Sequence, residues 1–225
     1  LIFAVENTDM AEPQSGFSET SFLENALNAA MRAIAPKGIA TACRVIRDGD
    51  ETRLLGDEIA TLPARNPVRR RASGAARIAA RELLKEHGGG DFAILRGASG
   101  EPIWPSGIVG SLAHDDNMAV AAVASTADFL SVGIDVEPAI ALPEDIAALV
   151  KQPGDRLPEG TGDTDRILFC AKEAVYKAVY PLDRMILDYD DIIVDLQYGH
   201  ARTTTGRNVR VVFCRAPKIV TLAYL

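Results

Sequence analysis

The sequence predicts an α+β fold made of two related halves, 1–124 and 125–225. Three observations carry that expectation. Apolar residues recur at helical spacing in separate stretches bounded by Pro or Gly. Between them lie short runs of strand-like, β-branched composition ended by turn residues. Their order is helix, strand, helix, strands, then helix and strands again, which divides near Ser125. No repeat is visible residue by residue, so the kinship of the halves is read from topology. At 225 residues the chain has room for one large domain or two of roughly a hundred.

Taken in order, Phe17 to Ala35 reads as a helix, with Ser18 able to cap it and Phe22, Leu23, Ala26, Leu27, Ala30, Met31 and Ile34 on one face. Pro36-Lys37-Gly38 stops it, and Ile39 to Ile46 follows as a strand. Glu51 to Leu62 reads as a short helix. Pro67 opens a longer one that runs to about His87, before Gly88-Gly89-Gly90, with its arginines crowded at the start. Phe92 to Arg96 has strand character, and Gly97 to Gly107 is a turn-rich loop around Trp104. Ile108 to His114 leads into a strand at Met118 to Ala124, which the Ser125 to Asp128 turn folds back toward Val132 to Glu137 as a hairpin. Pro138 to Gly162 reads as a loop or short helix. Thr164 to Tyr180 is the clearest helix, capped by Asp163 or Thr164 and stopped by Pro181. Ile193 to Leu196, Val209 to Cys214 and Ile219 to Tyr224 are late strands.

Composition narrows the class. A chain 48% hydrophobic and 24% charged is ordinary for a globular protein. The longest clean apolar run, Met118 to Ala124, is far short of the roughly 20 residues a membrane span needs. The N-terminal Leu-Ile-Phe-Ala-Val-Glu-Asn lacks the basic start and long apolar stretch of a signal peptide, and the initiator Met is absent. Cys43, Cys170 and Cys214 are odd in number and far apart, which speaks for a reducing cytoplasm over a disulfide framework or zinc site. Charge is unevenly placed. The windows Arg65–Lys85 and Ala201–Leu225 carry +6 and +5 within a chain of net −7, leaving −18 elsewhere. One concentrated basic segment in an acidic protein suggests a local anion site more than a nucleic-acid surface.

The stretch Ser131 to Pro138 carries the chemistry. Val132, Ile134 and Val136 alternate with Gly133, Asp135 and Glu137, so the two acids share one face of a strand, roughly 7 Å apart at the backbone. A lone Asp-x-Glu is commonly a solvated outer strand. In the helix from Thr164, Glu173 and Lys177 are four apart on one face, a spacing that on an exposed helix gives only an ordinary surface pair. Their apolar surroundings, Phe169-Cys170-Ala171 and Ala174-Val175-Tyr176, mark this helix as largely buried, where charges need a partner or a task. Asp135, Glu137 and Glu173 together form a set of hard oxygen ligands suited to Mg²⁺. His114, after Gly110-Ser111-Leu112, is either structural or a donor to a phosphate oxygen. The Arg69-Arg70-Arg71 run with Arg77 is either a solvated basic face or a forked phosphate site at a helix start.

These residues assemble into a resemblance. Val132-Gly133-Ile134-Asp135-Val136-Glu137 with Phe169-Cys170-Ala171-Lys172-Glu173-Ala174-Val175-Tyr176-Lys177-Ala178 resembles the paired signature of the 4′-phosphopantetheinyl transferases, in the monomeric surfactin/enterobactin type and its actinobacterial branch. Gly100-Glu101-Pro102-Ile103-Trp104-Pro105, Gly110-Ser111-Leu112-Ala113-His114 and the arginine helix Arg77 to Leu84 resemble its other motifs, so the likeness runs from about Pro67 to Asp195.

The resemblance implies a pseudo-dimer of two similar α+β halves, the 4′-phosphopantetheinyl transferase fold, with coenzyme A in the cleft between them. It implies transfer of the 4′-phosphopantetheine group to a serine of an acyl-, polyketide- or peptidyl-carrier protein, with Mg²⁺ and with release of adenosine 3′,5′-bisphosphate. Such activation serves fatty-acid, polyketide, nonribosomal-peptide and siderophore biosynthesis, in the cytoplasm. It matches Asp135, Glu137 and Glu173 to the metal-binding acids, and Glu173 with Lys177 to the catalytic pair. Arg69, Arg70, Arg77, Ser111, His114, Lys172 and Lys177 match the residues that contact the coenzyme. A chain holding both halves is expected to act as a monomer, with no nucleic acid or membrane partner. Two departures stand out: Ala113 replaces the hydroxyl residue common before the histidine, and Ala72-Ser73 replaces the usual continuation of the arginine run. A Mg²⁺-dependent phosphodiesterase or nuclease is the competing reading, since three acids and a lysine serve it equally. A nucleic-acid-binding module built on the arginine helix is weaker, for want of a recognisable motif.

Overall fold

The computed structural model describes residues 15–62, 66–86, 90–157 and 162–225, with side chains from residue 19 onward. The N-terminal leader reading, the side chain of Ser18, Arg65, His87 with the Gly88-Gly89 stop, and 158–161 of the Pro- and Gly-rich loop lie outside the described residues.

The described residues form a mixed α+β structure. Helix α1 (Ser15–Ile34) starts three residues before the expected cap and leads into β1 (Ile39–Val45). The stretch expected as one helix over 51–62 divides into a 3₁₀ turn (Asp50–Arg53) and α2 (Gly56–Thr61). The break lies at Leu54 and Leu55, both extended, and Glu58 turns inward so that its carboxylate accepts the Leu55 N–H at 2.8 Å. Helix α3 (Pro67–Glu86) follows, then two short strands, β2 (Leu95–Arg96) and β3 (Pro102–Ile103), which pair with each other. The expected strand from Phe92 is thus only two residues long. Ile94, just before it, gives its N–H to Glu58 Oε1 (2.9 Å) and accepts from Arg77 Nε (2.8 Å), so side chains take the bonds a ladder would have made.

The next strands are β4 (Ile108–His114), β5 (Met118–Ser125) and β6 (Val132–Glu137). The expected hairpin between 118–124 and 132–137 does not form. Strand β5 is paired along both edges, with β1 on one side and β4 on the other, in the order β1-β5-β4. No ladder remains for β6, which joins a second sheet. The hairpin is instead β4–β5, closed by Asp115, whose Oδ1 accepts from the N–H groups of Asn117 (2.9 Å) and Met118 (2.8 Å).

The second sheet follows α4 (Glu144–Val150) and α5 (Thr164–Asp183), and contains β7 (Ile192–Asp195), β8 (His200–Thr203), β9 (Asn208–Cys214) and β10 (Ile219–Tyr224), in the order β6-β10-β9-β8-β7. Strand β8 has no counterpart in the sequence reading. Helix α5 runs through Pro181 instead of stopping before it. Proline in the last turn forfeits a single hydrogen bond, and the helix closes at Arg184, left-handed at φ 54°, whose N–H reaches Tyr180 O at 2.9 Å.

Each sheet is backed by a 20-residue helix. Ala75, Ala76, Ala79, Ala80, Leu83 and Leu84 of α3 pack on Ala119, Ala121 and Val123 of β5. Ile167, Cys170, Ala171, Ala174, Val175 and Ala178 of α5 pack on Ile219, Ala223 and the inner faces of β7 to β9. A third core runs across both sheets: Leu27 and Met31 of α1 meet Cys43, Val120 and Ala122 of the first, with Val132, Ile134, Val136, Val220 and Leu222 of the second. Each fully buried aliphatic side chain here contributes about 1.5–3 kcal/mol. That shared core holds β4 against β6 and fixes the seam where the functional side chains stand.

Candidate active site

Strand β6 turns Val132, Ile134 and Val136 into the shared core, so Gly133, Asp135 and Glu137 face α5. Gly133 lets the two elements touch: a Cβ there would lie 2.0 Å from Ala174 O and 2.6 Å from Ala178 N. With backbone against backbone, the acids of β6 come level with the polar face of α5.

Asp135 is 7% exposed. Its Oδ1 accepts from Lys177 Nζ at 2.7 Å, and its Oδ2 is buried with no hydrogen-bond partner among the described residues. The same ammonium reaches Ile134 O at 3.3 Å. Burial alone would lower the Lys177 pKa, but Asp135 and Glu173 outweigh it, so Lys177 is held as a cation. Glu137 accepts from Arg166 at 2.7 Å, and Arg166 also donates to Ala141 O at 3.1 Å. Glu173 accepts from the Tyr189 hydroxyl at 3.1 Å. Desolvation raises the pKa of both glutamates, and the negative charge of Asp135 adds to it. The Tyr189 phenol is pushed up to about 12 by burial and by Glu173. His114 ends β4 as an exposed residue whose imidazole is partly desolvated against the protein. Its pKa is lowered by desolvation and by Lys177, against the pull of Asp115 and Asp135. Asp115 itself is tied to Lys218 at 2.5 Å, from the turn between β9 and β10.

Among the described residues no three acids, cysteines or histidines converge as a closed metal centre. The donor set still suits a partly hydrated Mg²⁺, which takes one or two carboxylates and completes its shell with water and phosphate. Asp135 Oδ2 is an orphaned buried oxygen. Beside it, burial raises the pKa values of two carboxyls and the charge of Asp135 adds to it, a repulsion that a cation relieves.

At the same seam lies a cleft of about 640 Å³, within the range of small-molecule sites. Gly110, Ser111 and Leu112 of β4 line one wall with Trp104, and Tyr176, Lys177 and Tyr180 of α5 line the other. Its rim is bridged by an ion pair between Arg184, at the end of α5, and Glu101, in the loop before β3. Lys177 belongs to both the cleft and the acidic site.

Of the residues singled out in the sequence, Asp135, Glu137, Glu173, Lys177 and His114 therefore gather at the seam, and Ser111 lines the cleft. Arg69 and Arg70 stand at the open first turn of α3, outside the cleft lining, without an ion pair to any described residue; Arg71 is tied to Asp48 (2.6 Å) and Glu51 (3.4 Å). Two of the expected coenzyme contacts have partners within the protein. Arg77 is buried with its Nε on Ile94 O, and Lys172 is fully buried, its Nζ 2.9 Å from Asp155 and 2.8 Å from Tyr189 O. Ala113 is 6% exposed in the shared core. Sequence reasoning missed Arg96 and Tyr180 in the cleft wall, and Arg166 and Tyr189 behind the acids. Arg166 lies seven residues before Glu173, on the same helical face, a signal that was available; Tyr189 offered none.

Two family models match the chain. The N-terminal domain of 4′-phosphopantetheinyl transferases matches residues 58–124, and the 4′-phosphopantetheinyl transferase superfamily matches residues 131–218. The chain is 44% identical over 144 residues to the 4′-phosphopantetheinyl transferase Npt of Nocardia iowensis, covering 61% of this chain and 65% of that protein. It is 38% identical to Svp of Streptomyces mobaraensis (64% and 61% covered) and 41% identical to PptT of Mycobacterium tuberculosis (60% and 62%), both likewise 4′-phosphopantetheinyl transferases. The chain thus spans just under two thirds of the length of the curated relatives it matches. Signature strand, signature helix and both matched segments meet at one seam, and the chain belongs to the 4′-phosphopantetheinyl transferase superfamily.

Proposed function

We propose that this protein transfers the 4′-phosphopantetheine group of coenzyme A to a serine of an acyl-, polyketide- or peptidyl-carrier protein, releasing adenosine 3′,5′-bisphosphate. The observation that carries this reading is the double membership of Lys177, which lines the 640 Å³ cleft and holds Asp135 at 2.7 Å. It joins a pocket suited to an extended, partly apolar ligand to a cluster of carboxylates suited to a metal–phosphate centre. The pantetheine arm would lie between Trp104 and the Tyr176–Tyr180 wall, with the pyrophosphate toward Lys177 and His114.

Asp135, Glu137 and Glu173 would hold a Mg²⁺, which when bound supplies countercharge to the pyrophosphate. The chain's own residues do the rest. Lys177, kept cationic by Asp135, stabilises the departing phosphate. Glu173, with its pKa raised toward the working range of a general base, takes the serine proton as the hydroxyl oxygen bonds to the β-phosphorus. The bond from that phosphorus to the bridging oxygen breaks, and adenosine 3′,5′-bisphosphate leaves with the electron pair. Arg69 and Arg70, at the start of α3 and without an ion pair among the described residues, are the candidate partners of the adenosine 3′-phosphate. The two helix-backed sheets support reading the chain as a pseudo-dimer with halves 1–124 and 125–225, complete as a monomer. The free thiols fit the reducing cytoplasm. Carriers of fatty-acid, polyketide, nonribosomal-peptide and siderophore synthesis are the candidate partners.

The test is nucleotide release from coenzyme A with Mg²⁺, with and without an apo carrier. Release that requires the carrier and matches its loss of free serine supports the transferase. Release without any carrier supports the phosphodiesterase instead.

A further inference from the structure

Resting on the transferase reading above, we infer that Tyr189 is a positioning residue for Glu173, and that the buried Lys172–Asp155 ion pair exists to hold Tyr189 in place. Three contacts carry this. The Tyr189 hydroxyl donates to Glu173 Oε1 at 3.1 Å, which turns the carboxylate toward one orientation and leaves its other oxygen for a ligand. The Tyr189 carbonyl accepts from Lys172 Nζ at 2.8 Å, so the turn carrying the ring is fastened to the residue just before Glu173. The same ammonium is 2.9 Å from Asp155, and both side chains are 0% exposed. The Tyr189 ring is braced from the side by Phe169, with centroids 6.1 Å apart.

An ion pair this deep is expensive to bury and adds little stability over apolar replacements, so its retention points to a geometric task. Its position supplies one. Lys172 and Glu173 are neighbours on α5 and face different ways: Glu173 toward the seam, Lys172 toward the 3₁₀ turn Tyr189–Asp191. The Asp155 carboxylate also accepts from the N–H groups of Val194 (2.8 Å) and Gln152 (2.8 Å), so Lys172 is anchored to β7 and to the loop after α4. The chain of contacts Asp155, Lys172, Tyr189 carbonyl, Tyr189 hydroxyl, Glu173 thus ends on a carboxylate of the proposed metal site. Outer partners of this kind set ligand orientation, and their loss costs on the order of 10–100-fold in metal affinity.

Tyr189→Phe removes one hydroxyl and keeps the ring on Phe169. The readouts are calorimetric titration of the coenzyme A-bound protein with Mn²⁺, coenzyme A affinity without metal, and thermal unfolding. The expected result is a Mn²⁺ affinity lower by about 10-fold or more, with metal-free coenzyme binding and melting temperature unchanged. Asp155→Asn, remote from any ligand, should lower Mn²⁺ affinity in the same direction. Tyr198→Phe, an exposed tyrosine on the far edge of the second sheet, should change nothing. An unchanged Mn²⁺ affinity in Tyr189→Phe overturns the inference. So does a Lys172→Met variant that folds yet loses metal-free coenzyme affinity 10-fold, because Lys172 would then touch the phosphates. A wild-type protein that binds coenzyme A but no Mn²⁺ refutes the metal site itself and the positioning role with it; one that binds no coenzyme A refutes the transferase reading.

Discussion

Replacing Gly133 by alanine adds one methyl group where β6 and α5 touch. The new Cβ would stand 2.0 Å from Ala174 O and 2.6 Å from Ala178 N, against 3.4 Å for the start of ordinary contact. Relief requires about 1.4 Å of separation, and both obstructing atoms are backbone in the middle of a buried helix, so no side chain can swing aside. Overpacking of this kind costs about 1–3 kcal/mol. For a chain of this size that lowers the melting temperature by roughly 2–12 °C. The separation also pulls Asp135 from Lys177 and Glu173, and a misplacement near 1 Å costs on the order of 10² in turnover. Thermal unfolding and carrier modification, measured on the same preparation, check both effects. A Gly133→Ala protein that melts with the wild type and keeps full turnover would refute the claim that this contact aligns the site.

Glu58 is fully buried and accepts from Arg81 at 2.6 and 2.8 Å, from Ile94 N and from Leu55 N, so Glu58→Ala leaves a buried guanidinium without its acid. The expected cost is about 3–5 kcal/mol, read as a lower urea midpoint at unchanged slope. Burial pushes the Cys43 thiol up from 9.0 to about 12, with Glu24 adding to it, and raises Cys170 and Cys214 as well. Native protein at pH 8 should therefore react slowly with a thiol-specific reagent at all three positions and rapidly after unfolding; fast labelling of Cys43 would contradict its burial. Because the folded pKa of Cys43 is the higher one, its contribution to stability is whole below pH 9 and drains away as the pH rises toward 12.

The motif pair was legible because its parts are local. Alternation fixed which face of β6 carries Asp135 and Glu137, and the spacing of four put Glu173 and Lys177 together on α5. What escaped depends on distant partners. That Met118–Ser125 would be paired on both edges, sending β6 to β10, rests on β1, far earlier in the chain at Ile39–Val45. Whether a basic residue serves a ligand or the core is likewise invisible locally. Arg77 and Lys172 read as phosphate contacts, and nothing local foretells that Arg77 bonds Ile94 O or that Lys172 pairs with Asp155. Tyr189 follows a featureless loop, and only the turn that docks it on α5 gives it meaning.

The central claim is most directly tested by intact mass of an apo carrier protein after incubation with this protein, coenzyme A and Mg²⁺, beside Asp135→Asn and EDTA controls. The account predicts a gain of one phosphopantetheine on the carrier, lost in both controls. No gain on fatty-acid, polyketide or peptide carriers, or a gain that survives Asp135→Asn, would contradict it.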